Sequence, residues 1–306
     1  MVGSVNMDLV AYVDTMPQAG QTVTGRTFRT VPGGKGANQA VAAARAGADV
    51  SFVGAVGDDV FAAQLRQNLA DNGCSTSRLR TVPGSSGIAH IRVSDGGENT
   101  IVVVPGANAS VGDLDATDTQ LLADQDVLLL QLELPMAGVL AAARAGTAAW
   151  TVLTPAPVQE LPAELLDLVD LLMPNQHEAA AITGERDPRR ALPALLRLVP
   201  AAVITLGADG ALLGRRGAEP QWVPAAASTV VDTTGAGDAF CAAFAVAAAE
   251  FPGSPRSPGS PGSSGTRPER DHSAALRFAA AAAGLSVGRP GASTSLPWRS
   301  EIDAQV

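Results

Sequence analysis

The sequence element with the most evident chemistry is VDTTGAGDAF, residues 231–240, where an acid follows two glycines at the head of an alanine-rich stretch. Gly235 and Gly237 let backbone N–H groups close on an anion at a helix N-terminus, where unpaired donors and the helix dipole favour negative charge. A transferring phosphate fits there. Asp238, in the first turn, would lie beside it and could accept the proton of an attacking hydroxyl. The same residues also suit an N-capping acid on a glycine-rich turn, and taken alone they do not choose between the two.

A second glycine-rich turn, PGGKGANQA at 32–40, opens another helical stretch. Its glycine spacing and the missing Lys-Ser/Thr pair exclude a P-loop. Close backbone approach to a sugar is one use for these glycines, with Lys35 and Asn38 as donors; a tight strand-to-helix loop is the other. In GSVNMD, residues 3–8, Asn6 and Asp8 share parity at a strand end. Both would then face one cleft, where a carboxylate suits paired vicinal hydroxyls, although a simple turn explains them equally well. Glu133 follows the apolar run 128–132, at the strand end where open α/β sheets bind ligands. Asn175 and Glu178 have the spacing of a capping box.

These residues need a scaffold. Short apolar runs at 49–53, 126–132, 150–153, 168–173 and 202–206 alternate with helix-like stretches. That pattern predicts parallel strands buried on both faces, hence an α/β sandwich. Segments 21–30 and 87–105, the latter around the turn SDGGE at 94–98, alternate apolar and polar residues and predict a small separate antiparallel sheet, a lid. Residues 251–269 are dense in Pro, Gly and Ser and predict a flexible surface loop. Composition alone supports the other reading of that loop, a recognition segment for another protein.

With 306 residues, 46% hydrophobic and 17% charged, the chain can bury a core of one large domain. A net charge of −9 disfavours nucleic acid as a partner. Cys74 and Cys241 are too few and too far apart for a disulfide framework, and they suit the reducing cytoplasm. The first ten residues lack the pattern of a signal peptide, and the longest apolar stretch, 239–249, is too short to cross a bilayer.

Taken together, GGKGANQA at 33–40 and DTTGAGDAF at 232–240 resemble the two signatures of the ribokinase-like family of carbohydrate kinases. PGAN at 105–108, QLELP at 131–135, PNQHEA at 174–179, TLGADG at 205–210 and PWRSEID at 297–303 extend the resemblance nearly end to end. It implies one ribokinase-like domain over residues 1–306: a three-layer α/β sandwich with a mostly parallel central sheet and a small antiparallel lid. The implied reaction is ATP-dependent phosphorylation of D-ribose at the 5-hydroxyl, with Asp238 as base. Asn6, Asp8, Gly34, Lys35, Gly36, Ala37, Asn38, Glu133 and Asp238 would contact the sugar. Gly235, Ala236 and Gly237 would form the anion hole, Thr205, Leu206, Gly207, Ala208, Asp209 and Gly210 would lie against the nucleotide, and Asn175 and Glu178 would organise its phosphates and a hydrated Mg²⁺. A monovalent cation, usually potassium in the family, is implied at Asp232, Thr234, Ser286, Arg289, Gly291 and Ser295, partly through backbone carbonyls. Pairing of two lids in a homodimer is implied as well.

Two features depart from the family pattern. The stretch before Gly3 is shorter than the family's first strand, and the 251–269 insertion exceeds the usual connection. Deoxyribose, a ketohexose or a nucleoside are the rival substrates within the family. A catalytically silent binding protein is the rival from another class, and the intact Asp238 element argues against it. A dinucleotide-dependent oxidoreductase lacks its G-x-G-x-x-G turn here.

Overall fold

The computed structural model describes residues 1–96, 98–147, 149–250 and 272–306; the loop expected at 251–269 lies outside the described residues. In chain order the elements are β1 (Asn6–Val13), β2 (Gly25–Gly33), α1 (Lys35–Arg45), β3 (Val50–Gly57), α2 (Ala62–Asp71), β4 (Cys74–Val82), β5 (Gly87–Ser94) and β6 (Asn99–Val104). There follow α3 (Ala116–Ala123), β7 (Val127–Leu130), α4 (Met136–Ala145), β8 (Trp150–Leu153), α5 (Ala163–Leu168), β9 (Leu171–Leu172), α6 (Gln176–Thr183), α7 (Pro188–Leu198), β10 (Ala201–Thr205), β11 (Ala211–Arg215) and β12 (Gln221–Val223). The long helices α8 (Ala236–Glu250) and α9 (His272–Val287) and the short α10 (Arg299–Asp303) complete the fold.

Strand parity builds three layers. On the central strands Phe52, Leu129, Val152, Leu171 and Val203 join α1, α8 and α9 in one core. Their neighbours Val53, Leu128, Leu130, Leu153, Leu172 and Ile204 join residues of α4, α5 and α7 in the other. Side chains alternate across a strand, so runs apolar at every position must be covered on both faces. The strand order is β12-β11-β10-β9-β8-β7, with β3 and β4 as a second piece. Val2 makes parallel bridges to both Val53 and Leu130 and so joins the two pieces. Ahead of β1 the pairing with the central sheet is this bridge at Val2, and the sheet stays continuous across it.

The lid has the order β2-β1-β5-β6. Its outer pairs, β1 with β2 and β5 with β6, are antiparallel, while β1 and β5 run parallel. Strand β1 was not foreseen as part of this sheet. It matters because Asn6 and Asp8 ride on it, whereas Lys35 and Asn38 ride on α1 at the core.

The two parts meet where α1 begins. Gly34 has φ +90, a conformation side chains rarely adopt, and a Cβ on Gly36 would lie 2.4 Å from the Ser4 nitrogen. Only glycine lets the helix approach the Gly3–Ser4 backbone so closely. Gly36→Ala is therefore expected to cost about 1–3 kcal/mol through overpacking. Gly112→Ala, where an added methyl meets open space, should stay within about 0.5 kcal/mol of the parent. Thermal unfolding of the two variants checks this, and equal midpoints would refute it.

Candidate active site

The Glu133 carboxylate, three residues past β7, closes the start of α1. Its Oε2 accepts hydrogen bonds from the Ser4 hydroxyl at 2.6 Å, the Lys35 N–H at 3.1 Å and the Asn6 amide at 3.5 Å. An acid at a helix N-terminus satisfies a donor that the helix itself cannot pair. The Ser4 hydroxyl also accepts from the Gly36 N–H at 3.2 Å, and the Ala37 N–H donates to the Ser4 carbonyl at 2.9 Å. Gly36 and Ala37, expected among the sugar contacts, thus spend their backbone donors on Ser4. Asn6 is turned by Asn108, whose amide donates to Asn6 Oδ1 at 2.8 Å and to the Val5 carbonyl at 3.2 Å.

Asp238 is buried in the first turn of α8. Its Oδ2 accepts from Asn38 at 3.1 Å and its Oδ1 from Gln39 at 3.0 Å. The Asn38 carbonyl oxygen is itself buried with no hydrogen-bond partner. Leaving such an acceptor unpaired costs about 1–3 kcal/mol unless something donates to it. A ligand hydroxyl would do so.

Four carboxylates, Asp8, Glu133, Glu178 and Asp238, act on the single ammonium of Lys35. Burial alone would lower the Lys35 pKa, but Asp238, Glu133, Glu178 and Asp8 outweigh it and hold the ammonium above its ordinary value. Burial, with Glu133 and Asp238 adding to it and Lys35 opposing, pushes the Asp8 carboxyl up to about 7. Asp238 is also raised, by burial first, against the pull of Lys35, Gln39 and Asn38. Glu178 is raised by burial, which its bond from the Asn175 N–H only partly offsets. The site is short of positive charge and of donors.

A cleft of about 220 Å³ opens at the C-terminal ends of β8, β9 and β10 and is lined by Lys35, Asn175, Glu178, Thr205, Thr233, Gly235, Gly237 and Asp238, among others. Gly235 has φ +78, which turns the chain into α8. Asn175 caps α6, accepting from the His177 and Glu178 N–H groups at 2.8 and 2.9 Å, while Glu178 Oε2 accepts from the Asn175 N–H at 2.8 Å. His177 is exposed, as expected. A β-bridge joins Asn175 to Thr205 and brings these two segments together. Beyond Thr205, Leu206 is half-buried, Gly207, Ala208 and Asp209 form an exposed turn, and Gly210 has φ +90. A larger hollow, about 520 Å³, lies at the opposite ends of the strands beside Val50, Val127 and Glu250 and touches none of these residues.

The positions named for a monovalent cation gather beside Gly235. Asp232 accepts from the Thr234 and Gly291 N–H groups, each at 2.9 Å. These bonds, with the Thr234 hydroxyl, hold its carboxyl below the usual range although burial works the other way. The Ser286 and Ser295 hydroxyls are buried and 2.8 Å apart. The Arg289 side chain points elsewhere, pairing with Glu301, so only its backbone remains for a cation. Among the described residues no group of three or more His, Cys, Asp or Glu side chains could hold a metal.

Ser4, Gln39, Asn108 and Gln131 were missed as contributors. All four lie inside the quoted sequence pieces, yet their roles depend on partners about 30 to 200 residues away, which no local pattern signals.

Comparison with known proteins shows the family. Residues 1–299 match the model of the pfkB family carbohydrate kinases. The chain is 40% identical to a ribokinase of Bacillus subtilis over 99% of its length and 97% of that protein's, and 36% identical to one of Haemophilus influenzae over 98% and 95%. The solved structure of Arabidopsis thaliana ribokinase complexed with ribose and ATP superimposes with a TM-score of 0.88 at 31% identity, covering 99% of this chain and 96% of that one. The paired glycine-rich turns, the buried Asp238 and the end-to-end similarity lead to one conclusion: the chain belongs to the pfkB family of carbohydrate kinases.

Proposed function

We propose that the chain transfers the γ-phosphoryl group of ATP to the 5-hydroxyl of D-ribose, giving ribose 5-phosphate and ADP, with Asp238 as general base. One observation carries this reading. Asp238 is a buried carboxylate between Asn38, whose side-chain oxygen has no partner, and the glycine-rich start of a helix that an anion can approach. Binding of ribose with ATP by the Arabidopsis relative favours this substrate pair.

On this reading Asn6, Asp8, Gly34, Lys35, Asn38 and Glu133 hold the sugar, with Asp8 accepting from vicinal hydroxyls and Asn38 Oδ1 taking a further one. Asp238 removes the proton of the 5-hydroxyl as its oxygen attacks the γ-phosphorus. The N–H groups of Gly235, Ala236 and Gly237 meet the charge developing on the phosphoryl oxygens, and Lys35 adds the positive charge that the site otherwise lacks. Residues 205–210 lie against the nucleotide.

The oxygen-rich start of α6 suits a hydrated Mg²⁺. The capping bonds use Glu178 Oε2 and Asn175 Oδ1, so Glu178 Oε1 would hold the ion through water, and the ion would neutralise phosphate charge. Asp232, Thr234, Ser286, Arg289, Gly291 and Ser295, through hydroxyls, a carboxylate and backbone carbonyls, suit potassium. Its place beside Gly235 would set the shape of the anion hole.

The lid supports a homodimer. On the edge strand β6, Ile101, Val102, Val103 and Val104 are 53, 56, 47 and 47% exposed, an apolar edge of the kind that pairs with another chain. Both cysteines are free and buried, consistent with the cytoplasm. No helix among the described residues is long and apolar enough to cross a membrane.

ADP release with Mg·ATP against ribose, deoxyribose, fructose and adenosine, with and without potassium, tests the reading. Ribose-dependent, potassium-stimulated turnover is expected, and Asp238→Asn should lower it by about 10²–10⁴-fold while sugar binding persists. Turnover with another of these substrates and none with ribose would overturn the substrate assignment. The Asp8 carboxyl near 7 gives a pH signature: ribose binds the ionised form, so its KM should rise as pH falls below about 7, by up to about tenfold per unit, and level off above. Asp8→Asn should bind weakly with no such dependence, and a flat wild-type profile would refute the role. Light scattering should report a dimer; a Val103→Lys variant should report a monomer, and a wild-type monomer would sink the lid pairing.

A further inference from the structure

Directly behind Asp238 lies a pair of buried amides that the mechanism above does not use. Gln39 and Gln131 are both fully buried, and Gln39 does not line the cleft. The Gln39 Nε2 donates to Asp238 Oδ1 at 3.0 Å and lies 3.4 Å from the Thr154 hydroxyl. Its Oε1 accepts from Gln131 Nε2 at 3.2 Å, and the same Gln131 nitrogen lies 3.0 Å from the Met1 sulfur. The order of donors runs one way. A reversed Gln39 amide would set its oxygen against a carboxylate oxygen, and Gln131 meets the other end of Gln39 with a donor.

Stability alone does not account for this arrangement. Both amides are fully buried, and the Gln131 side-chain carbonyl oxygen has no hydrogen-bond partner. An unpaired buried acceptor is a cost that apolar side chains of the same shape would avoid. What the pair achieves is orientation. Asn38, the other donor to Asp238, binds Oδ2, and its own side-chain oxygen has no partner. Gln39, fully buried, grips only Oδ1 of the carboxylate.

We propose that Gln39 is a positioning residue for phosphoryl transfer, held by Gln131, whose amide fixes Asp238 through Oδ1 and so presents Oδ2 to the substrate hydroxyl. This rests on the reading of Asp238 as the base. In that step the hydroxyl O–H bond breaks and its proton passes to Oδ2. The oxygen bonds to the γ-phosphorus, and the bond from that phosphorus to the bridging oxygen breaks, with the electron pair leaving on ADP. Misplacing a reacting group by about 1 Å can cost about 100-fold in rate, so fixing one rotation of a carboxylate is worth a buried donor. The charged and titratable groups that bear on Asp238 are Lys35 on α1, Asp8 on β1, Glu133 after β7, Glu178 on α6 and Cys241 one turn along α8. Gln39 is an uncharged donor among them that also favours the ionised carboxylate.

The test uses the full-length enzyme and the variants Gln39→Met, Gln39→Glu and Asp238→Asn, with kcat, ribose KM, the pH profile of kcat and the thermal midpoint measured for each. Gln39→Met keeps the length and removes the donor. Its kcat should fall about 100-fold while ribose KM changes by less than about threefold, and the acid limb of its profile should move to higher pH. Gln39→Glu keeps an acceptor for Gln131 but sets an acid against Asp238, so its acid limb should move further in the same direction; it also decides the matter if Gln39→Met fails to fold. A wild-type kcat with an unmoved acid limb, or a loss seen only in the thermal midpoint, overturns the proposal. If Asp238→Asn is inactive while both Gln39 variants behave as wild type, this proposal alone fails. If Asp238→Asn retains turnover, the base assignment and the proposal fall together.

Discussion

The close approach of the α1 N-terminus to the Gly3–Ser4 backbone governs the placement of nearly everything else in the site. A Cβ at Gly36 would meet backbone at 2.4 Å, and one at Gly34 would lie 2.8 Å from the Asn6 nitrogen. With those methyl groups absent, Ser4, Glu133 and the first N–H groups of α1 close into one hydrogen-bonded knot. Lys35, Asn38 and Gln39 then project from a helix whose start cannot slide. Lys35 turns towards the carboxylates, and Asn38 and Gln39 reach Asp238 from two sides.

The charge pattern that results is unfavourable by itself. Several acids share one ammonium, and burial lifts the pKa of Asp8, Glu178 and Asp238 above their ordinary values. A protein optimised for stability alone would not keep such a cluster. Donors missing from the chain, such as sugar hydroxyls, and cations accompanying a phosphate would relieve it. The strain of the free site is therefore complementary to a substrate that brings donors and to a reaction in which a carboxylate takes up a proton.

The fold divides the site between two bodies. Asn6 and Asp8 sit on a lid strand, while Lys35, Asn38, Glu133 and Asp238 belong to the sandwich or the loops at its strand ends. Asn108, just past the last lid strand, ties back to Val5 and Asn6 through three hydrogen bonds. The end of the lid that carries Asn6 is pinned to the first residues of the chain, and the apolar strand β6 is left at the outer edge. Single-residue pairing by Val2 suffices to keep the central sheet continuous because β3 and β7 are already covered on both faces.

Local rules were enough to read several features from the sequence. Short, largely apolar runs between helix-like stretches read as strands covered on both faces, which marked the layered sandwich and strands β3, β7, β8, β9 and β10. Glycine spacing marked the two turns that open α1 and α8, and put Asp238 at a helix start. Strand β4, CSTSRLRTV, escaped notice because a polar edge strand has no apolar run to betray it. Residues 6–13 gave no sign of whether they belong to the central sheet or to the lid, since the alternation of a strand is the same in either. Only the tertiary structure decided that Gln39 meets Asp238 and that Ser4 meets Glu133. Those pairs are separated by 199 and 129 residues, and a hydrogen bond needs about 3 Å between partners. Local pattern can say which side chains are able to bond; packing of the whole chain sets which of them come within that distance.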